Sequence, residues 1–553
     1  VVGPALGGGH ALLRDMVFVP RQTLGPDALG LGAAVPRAVP VDAVVAALTV
    51  LVPGDLVQQV ALVGIVVAAA LGAARLVAPG PEGRRGPGAL AAAACYAWSP
   101  YLAERLLMGH WSLLLAWAAL PWVAVWALRV RAGRPGAVAG LVLASVPAAL
   151  TPTGSLLAAG VALALAGRPR LLRVGVVQLA LALPWVVAGA AHPGGGVSDP
   201  AGVAAFAARG EGPGGVAVSL LGTGGIWNAG AVPDGRASLA VPLVTAVLVG
   251  LAVAGWVAAG RGGAAAARAV RGLVALGVAG LGLAALGAVP PAADALRLAV
   301  AEVPGAGLLR DGQKWVAWWA LALAAGVGAG VAAAARRLDP VRGRLVAGTA
   351  VALCVLAVPD LAWGVGGRLE AVRYPADWDR VTALLAADPA PGDVLVLPVG
   401  AVRAFAWNDG RPQLDPAPRH LPRPVIVDDT LVVSGTAVAG EDARARSVIA
   451  AADDPAALAA LGVGWVLVER GTPGPPVPAA VRALPEVFAG QWLVLHRVPD
   501  AVAAPAPAAG RVAAVVGAGA VTLGMVTWAT LSVAGSAITV ALRRTRRTPR
   551  ENT

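Results

Sequence analysis

The sequence predicts a mainly α-helical, polytopic transmembrane bundle of about 11 helices, with a small extracytoplasmic α/β domain before the last helix. Three observations carry that prediction. Mean hydropathy is +0.73, with 58% hydrophobic and only 13% charged residues, whereas about a quarter of an ordinary soluble domain is charged. Apolar runs of roughly 20 residues, the length that crosses a bilayer, recur between residues 56 and 363. Much of the positive charge sits in short loops between those runs: Arg75, Arg84 and Arg85; Arg129, Arg131 and Arg134; Arg168, Arg170 and Arg173; Arg261, Arg268 and Arg271; Arg336, Arg337, Arg342 and Arg344. Arginine resists translocation during insertion, so such loops stay cytoplasmic. The formal net charge of +12 is therefore a topology signal, and no nucleic-acid partner is expected.

Residues 1–55 read as an outer N-terminal loop in which 41–52, a short apolar stretch bounded by proline and aspartate, lies in the membrane interface. The chain opens on Val1, and a further helix is expected upstream. Candidate spans are 56–77, 89–107, 111–129, 136–151, 153–167, 171–191, 238–259, 268–290, 314–335, 344–363 and 511–542. The two short spans within 136–167 require a tight turn at Thr151-Pro152-Thr153-Gly154. An odd number of spans starting outside puts the tail, 543–553, in the cytoplasm. Its arginines at 543, 544, 546, 547 and 550 place it there independently.

Residues 192–237 are Gly/Pro-rich without periodicity and read as a flexible outer loop. Residues 364–508 alternate helix and strand. Trp378–Ala387 reads as a helix, 393–398 and 424–428 as strands, 455–461 as a helix, 464–468 as a strand, 477–484 as a helix and 491–496 as a strand. That order argues a small α/β domain. Pro505 and its neighbours link it to the final helix. The expected division is thus 1–55, a multi-pass domain 56–363, the α/β domain 364–508, the final helix 511–542 and the basic tail.

Cys95 and Cys354 both fall in apolar segments, so no disulfide framework is available. No pair of histidines has metal-ligand spacing. A cofactor is left unassigned, with a divalent cation as the candidate. Three polar groups at outer helix ends carry the chemistry. In the first, Asp15 of His10-Ala-Leu-Leu-Arg14-Asp15-Met-Val-Phe-Val-Pro20 puts a carboxylate among apolar residues, where it can act as a general base toward a hydroxyl. Asp27, Asp42 and Glu104 are the fallback carboxylates. In the second, Glu104, Arg105 and His110 occupy a turn between two spans and are costly there unless they face a cavity or one another. Trp98, Tyr101 and Trp111 read as an interfacial aromatic belt. In the third, Gly307-Leu-Leu-Arg310-Asp311-Gly-Gln313-Lys314-Trp315 opens a helix from outside. Arg310 and Lys314, four residues apart, are expected on one helical face, a seat for a phosphate; snorkelling anchors are the plainer reading. Glu104, Arg105, His110, Arg310, Asp311 and Lys314 are thus the candidate substrate-binding residues. Asp428-Asp429 and Asp453-Asp454 read as turns or helix starts.

An acid after a presumed first helix, the Ser99-Pro-Tyr101…Glu104-Arg105 turn and the Arg310-Asp311-Gly-Gln313-Lys314 helix start resemble the actinobacterial membrane arabinofuranosyltransferases of the C-type (GT-C) glycosyltransferase superfamily. The resemblance covers roughly 1–365. It implies transfer of a sugar, arabinofuranose in that family, from a polyprenyl-phosphate donor to a cell-envelope glycan acceptor at the outer face of the lipid bilayer. It also implies Asp15 as the catalytic acid and Arg310 or Lys314 as the family's basic residue. The sequence departs from the family in having a single acid in the first loop and no long carbohydrate-binding extension. Two other classes compete: a lipid or polysaccharide transporter, and a non-catalytic scaffold for envelope assembly. Helix interiors almost free of charge argue against the transporter, because transport sites place ionisable groups near the midplane.

Overall fold

The computed structural model describes residues 1–77, 86–192, 196–503 and 505–545, with side chains to 536. Among the described residues eight helices are long and apolar enough to cross a membrane: Gly54–Val77, Trp111–Arg131, Arg168–Ala190, Ala240–Gly260, Ala264–Ala288, Gly312–Ala335, Pro340–Ala357 and Ala509–Ser536. The paired short helices are also present, as Ala137–Ala149 and Pro152–Ala166, with Thr151 capping the second through its hydroxyl to Gly154 N. The chain is a polytopic helical membrane protein. Arg84, Arg85 and the last eight residues of the tail lie outside the described residues.

Helix packing runs on small residues. Helix Val316–Ala335 packs on Ala240–Gly260 on one flank and on Pro87–Ala97 on another. A Cβ at Gly255 would lie 1.9 Å from the Gly326 oxygen, and one at Gly88 would lie 2.5 Å from the Gly328 oxygen. Glycine on these faces lets three backbones approach as only small residues allow, which is how membrane helices gain contact without a hydrophobic drive. The final helix is the least buried of the eight, with Val516, Leu523, Trp528 and Leu531 exposed.

Three expectations need correction here. The span 89–107 is not one helix. It stops at Ala97 and restarts as Pro100–Leu107, with Ser99 as N-cap accepting from Leu102 N and Pro100 in the first turn. Proline lacks the N–H that a continuous helix needs, and every residue of the second piece is buried. Tyr101 is accordingly no belt residue: it is fully buried and its hydroxyl donates to the Lys314 carbonyl at 3.0 Å. Residues 192–237 are not a featureless loop. They contain helices Ala201–Ala205 and Gly215–Leu221, pinned by a buried Glu211–Arg236 ion pair of 2.7 Å.

A strand-containing unit precedes the last helix. Its sheet has five strands in the order Glu486–Ala489, Leu493–Arg497, Val463–Glu469, Asp393–Leu397, Val425–Ile426, the last three mutually parallel. Strand Glu486–Ala489 and the hairpins Val402–Arg403/Gln413–Leu414 and Leu431–Val433/Thr436–Val438 escaped the sequence reading, and the helix expected at 477–484 shrinks to Ala479–Arg482. Residues 1–40 are stitched to this unit. His10–Ala11 pairs with Ala371–Val372, Arg14 N donates to Pro412 O, and Leu414 N donates to Arg14 O. The Gln58 amide, on the first span, bonds both the N–H and the C=O of Ala11. The result holds residues 12–16 rigidly against the helix ends.

Candidate functional site

Asp15 sits at the tip of a tight turn closed by two bonds between Leu13 and Met16. Arg14 takes φ +47° to make that turn, a left-handed conformation that costs a non-glycine residue about 1–2 kcal/mol. The backbone fixes it from both sides: Asp15 N donates to Met108 O, and the Arg14 guanidinium donates to Leu107 O and Gly230 O. The turn therefore lies directly on Gly109, which has φ +73° and no room for a side chain: a Cβ there would be 2.2 Å from Met16 N and 2.8 Å from Asp15 N.

From Asp15 a chain of polar contacts runs inward. Its Oδ2 lies 3.1 Å from His110 Nε2. His110 Nδ1 lies 2.8 Å from Arg105 NH1, and Arg105 forks onto Asp311 with two bonds of 2.8 and 3.0 Å. Lys314 Nζ approaches the same Asp311 at 3.7 Å. Guanidinium can only donate, so Nδ1 of His110 must accept, its proton must sit on Nε2, and Nε2–H donates to Asp15. Arg105 thus sets the tautomer of His110. The Asp15 side chain remains 49% exposed, whereas Arg105 is fully buried.

Electrostatics follow from this geometry. Desolvation would push the Asp15 carboxyl up, but the His110 hydrogen bond and the charges of Lys314 and Arg419 outweigh it and hold it below its ordinary value. Burial, aided by Arg105 and Lys314 and opposed by Asp15, lowers His110, leaving the imidazole neutral at pH 7. Desolvation also acts upward on Asp311, and the charges of Arg105 and Lys314 with the Arg105 fork overcome it, keeping the carboxyl well below its ordinary range.

Of the seven residues singled out in sequence, the structure brings Asp15, Arg105, His110, Asp311 and Lys314 into this one network. Glu104 points away from it. Its Oε2 accepts from Ile226 N and from Gln313 Nε2, both at 3.1 Å. Burial, then the neighbouring Glu211 carboxylate, push the Glu104 carboxyl well up. Arg310 does not share a helical face with Lys314. The segment is two separate 3-10 turns, Ala306–Leu309 and Gly312–Trp315, and the helix proper starts only at Val316. Arg310 instead pairs with Glu441 of the α/β unit at 3.0 Å, stacked over Phe206. Of the fallback carboxylates, Asp42 is paired with Arg419, and Asp27 opens a short 3-10 turn. Sequence reasoning missed Gly109, Glu211, Arg236 and Gln313; the glycine alone carried a signal, standing directly before His110. Among the described residues no three His, Cys, Asp or Glu side chains group to hold a metal ion.

The fold and site together define a many-helix membrane protein with an acid–imidazole–guanidinium–acid relay at one end of its two central helices. No protein-family model matches the sequence, and no curated protein sequence does. Solved structures do. The cryo-EM structure of arabinofuranosyltransferase AftD from mycobacteria superposes with a TM-score of 0.54 at 18% identity, over 88% of this chain and 38% of that one. Two structures of a point mutant of that enzyme give TM-scores of 0.51 and 0.52 at 18% and 17% identity, over 88% and 90% of this chain and 40% of theirs. The chain thus shares its fold with a membrane arabinofuranosyltransferase, in line with the resemblance of its motifs, and spans about two-fifths of that enzyme's length.

Proposed function

We propose that the protein is a membrane glycosyltransferase that moves a pentose, arabinofuranose by analogy of fold, from a polyprenyl-phosphate donor to a hydroxyl of a cell-envelope glycan. The observation that carries this reading is the relay itself, which combines a half-exposed ionised carboxylate with an adjacent ammonium. Asp15 takes the proton of the acceptor hydroxyl as its oxygen bonds the anomeric carbon. The bond from that carbon to the phosphate oxygen breaks, its electron pair leaving with polyprenyl phosphate. Lys314 meets the charge that grows on the leaving oxygen, a fixed cation where field strength is greatest. His110, held in one tautomer by Arg105, positions the carboxylate.

The same helices support an orientation. Trp111–Arg131 and Val316–Ala335 both begin at the site and end at arginines, Arg129 and Arg131 on one and Arg336 and Arg337 beyond the other. Arginine-rich ends stay inside, which supports an extracytoplasmic site and α/β unit, 364–508. Turnover of a radiolabelled polyprenyl-phosphate pentose by purified protein tests the reading. Asp15→Asn keeps shape and removes basicity, so transfer should fall about 10²–10⁴-fold with donor binding intact. Wild-type turnover in that variant rejects the role of Asp15, and an inactive wild type favours the scaffold.

A further inference from the structure

A cavity of about 370 Å³, lined by none of the relay residues, lies between residues 20–24, helix Val41–Leu51 and the α/β unit. Its chemistry is unlike that of the relay. Arg21 and Asp379 on its wall cancel, and the other polar groups are uncharged: Gln22, Thr23, Thr382 and His420. Three hydrogen bonds hold these four residues in place. Gln22 Nε2 donates to Asp42 O at 3.1 Å, Thr23 N donates to Arg419 O at 3.1 Å, and Thr382 Oγ1 meets His420 Nδ1 at 3.1 Å. Burial lowers His420 to about 4, so its ring is neutral at pH 7. Ala46, Ala47 and Val50 complete the wall with an apolar strip.

Fixed, uncharged donors and acceptors beside an apolar strip suit a ligand rich in hydroxyls and poor in charge. A phosphate would call for a surplus of cations, and a lipid tail for a wall without polar groups. The helix that forms the strip exposes Val44, Leu48 and Leu51 on its surface, so it rides in the membrane interface and puts the cavity at the bilayer surface. Arg419 adjoins the cavity: its guanidinium pairs with Asp42 of that helix, its backbone oxygen accepts from Thr23 N and its neighbour His420 lines the wall, and its charge is one of those that lower the Asp15 carboxyl.

We infer that this cavity is the acceptor subsite, seating inner sugar residues of a neutral oligosaccharide while the glycan's terminal hydroxyl reaches past Arg419 to Asp15. The inference rests on the transferase reading for the second half of that statement only. An octyl-linked arabinofuranose disaccharide, titrated calorimetrically into purified full-length protein in detergent, is the probe. Ala47 lies on the exposed side of its helix and lines the cavity, so Ala47→Trp fills the space without entering the core. Probe binding should disappear in Ala47→Trp and weaken about 2–10-fold in Thr382→Val, which removes one hydroxyl at constant shape. A polyprenyl-phosphate donor should bind both variants as it binds wild type. Undiminished disaccharide binding in Ala47→Trp, or none in wild type, overturns the assignment. Binding that Ala47→Trp abolishes, in a protein with no turnover, keeps the cavity as a glycan site and rejects the transferase reading instead.

Discussion

Gly109→Ala tests whether the position of Asp15, and not merely its presence, governs activity. The added methyl would meet Met16 N at 2.2 Å, Leu13 O at 2.3 Å and Asp15 N at 2.8 Å. All are backbone atoms, so no side chain can swing aside. Restoring an ordinary 3.4 Å contact at Met16 N requires the turn to retreat by about 1.2 Å (3.4 less 2.2). The Asp15 N–Met108 O bond, already 3.2 Å, and the Asp15–His110 bond at 3.1 Å then pass out of hydrogen-bond range. A misplacement of about 1 Å in a reacting group costs on the order of 10²-fold. Alanine must also adopt φ +73°, at a cost of about 1–2 kcal/mol, which lowers stability without bearing on the turn. Gly136→Ala separates the two effects: its φ is +70° but nothing lies within 4 Å of its Cβ position. Both variants should melt lower than wild type, and only Gly109→Ala should lose about 10²-fold in the pentose-transfer assay. Equal turnover in the two would show that the close fit of the turn on Gly109 does not set catalysis.

Arg105→Met strands the buried Asp311 charge and should cost about 3–5 kcal/mol of stability, read from denaturation of the purified protein. Arg105→Met with Asp311→Leu should recover most of that stability but not the transfer activity, since His110 loses the donor that fixes its tautomer; recovery of activity would make the relay purely structural. His10 and His420 are both buried and both lowered from 6.5 to about 4. Between those values the unfolded chain binds protons that the folded chain refuses, so stability should fall as pH drops from 6.5 toward 4 and be whole above 6.5. The loss is at most about 3 kcal/mol per histidine, and a His10→Phe, His420→Phe double variant with an unchanged melting-temperature slope over pH 4.5–7 would refute this origin. Single cysteines in the 336–343 loop should resist a membrane-impermeant reagent in intact cells, whereas one at exposed Asp409 should label; the reverse pattern would invert the topology.

How much of this was legible in sequence depends on the range of each interaction. The spans were readable because hydropathy is a property of contiguous residues, and the strands Asp393–Leu397 and Val463–Glu469, five and seven residues long, because each is built on a contiguous apolar stretch, Val394–Leu397 in one and Trp465–Val468 in the other. The break at Ser99 was readable in principle, as a capping serine followed by proline, but a continuous apolar count overrode it. The hairpins at 402–414 and 431–438 were not readable, since their strands are two or three residues long and exist through pairing with each other. At the site, polar residues in apolar surroundings marked Asp15, Arg105, His110, Asp311 and Lys314, yet nothing local distinguished these from Glu104 or Arg310. The partners of the latter two, Glu211 and Glu441, lie 107 and 131 residues away in sequence.

The division of labour among the cations follows from that sorting. Asp15 and Asp311 carry two negative charges, Arg105 and Lys314 two positive ones, and neutral His110 lies between, so the relay is balanced before any substrate arrives. Arg105 satisfies both oxygens of Asp311 at 2.8 and 3.0 Å, which leaves Lys314 a looser approach of 3.7 Å to a charge already met. Were Lys314 the sole partner of Asp311, moving it to a phosphate would strand a buried carboxylate, at a penalty of several kcal/mol. With Arg105 in place the ammonium can turn to an incoming phosphate while Asp311 stays paired. Arg310, committed to Glu441, has no such freedom. Lys314→Ala should therefore weaken binding of a polyprenyl-phosphate sugar by about 1.5–3 kcal/mol, Lys314→Arg should retain most of it, and Arg310→Ala should leave it nearly unchanged. A donor affinity that falls equally in Lys314→Ala and Arg310→Ala would mean that the Arg310–Glu441 pair opens to admit the donor, and that the phosphate seat is built from both cations.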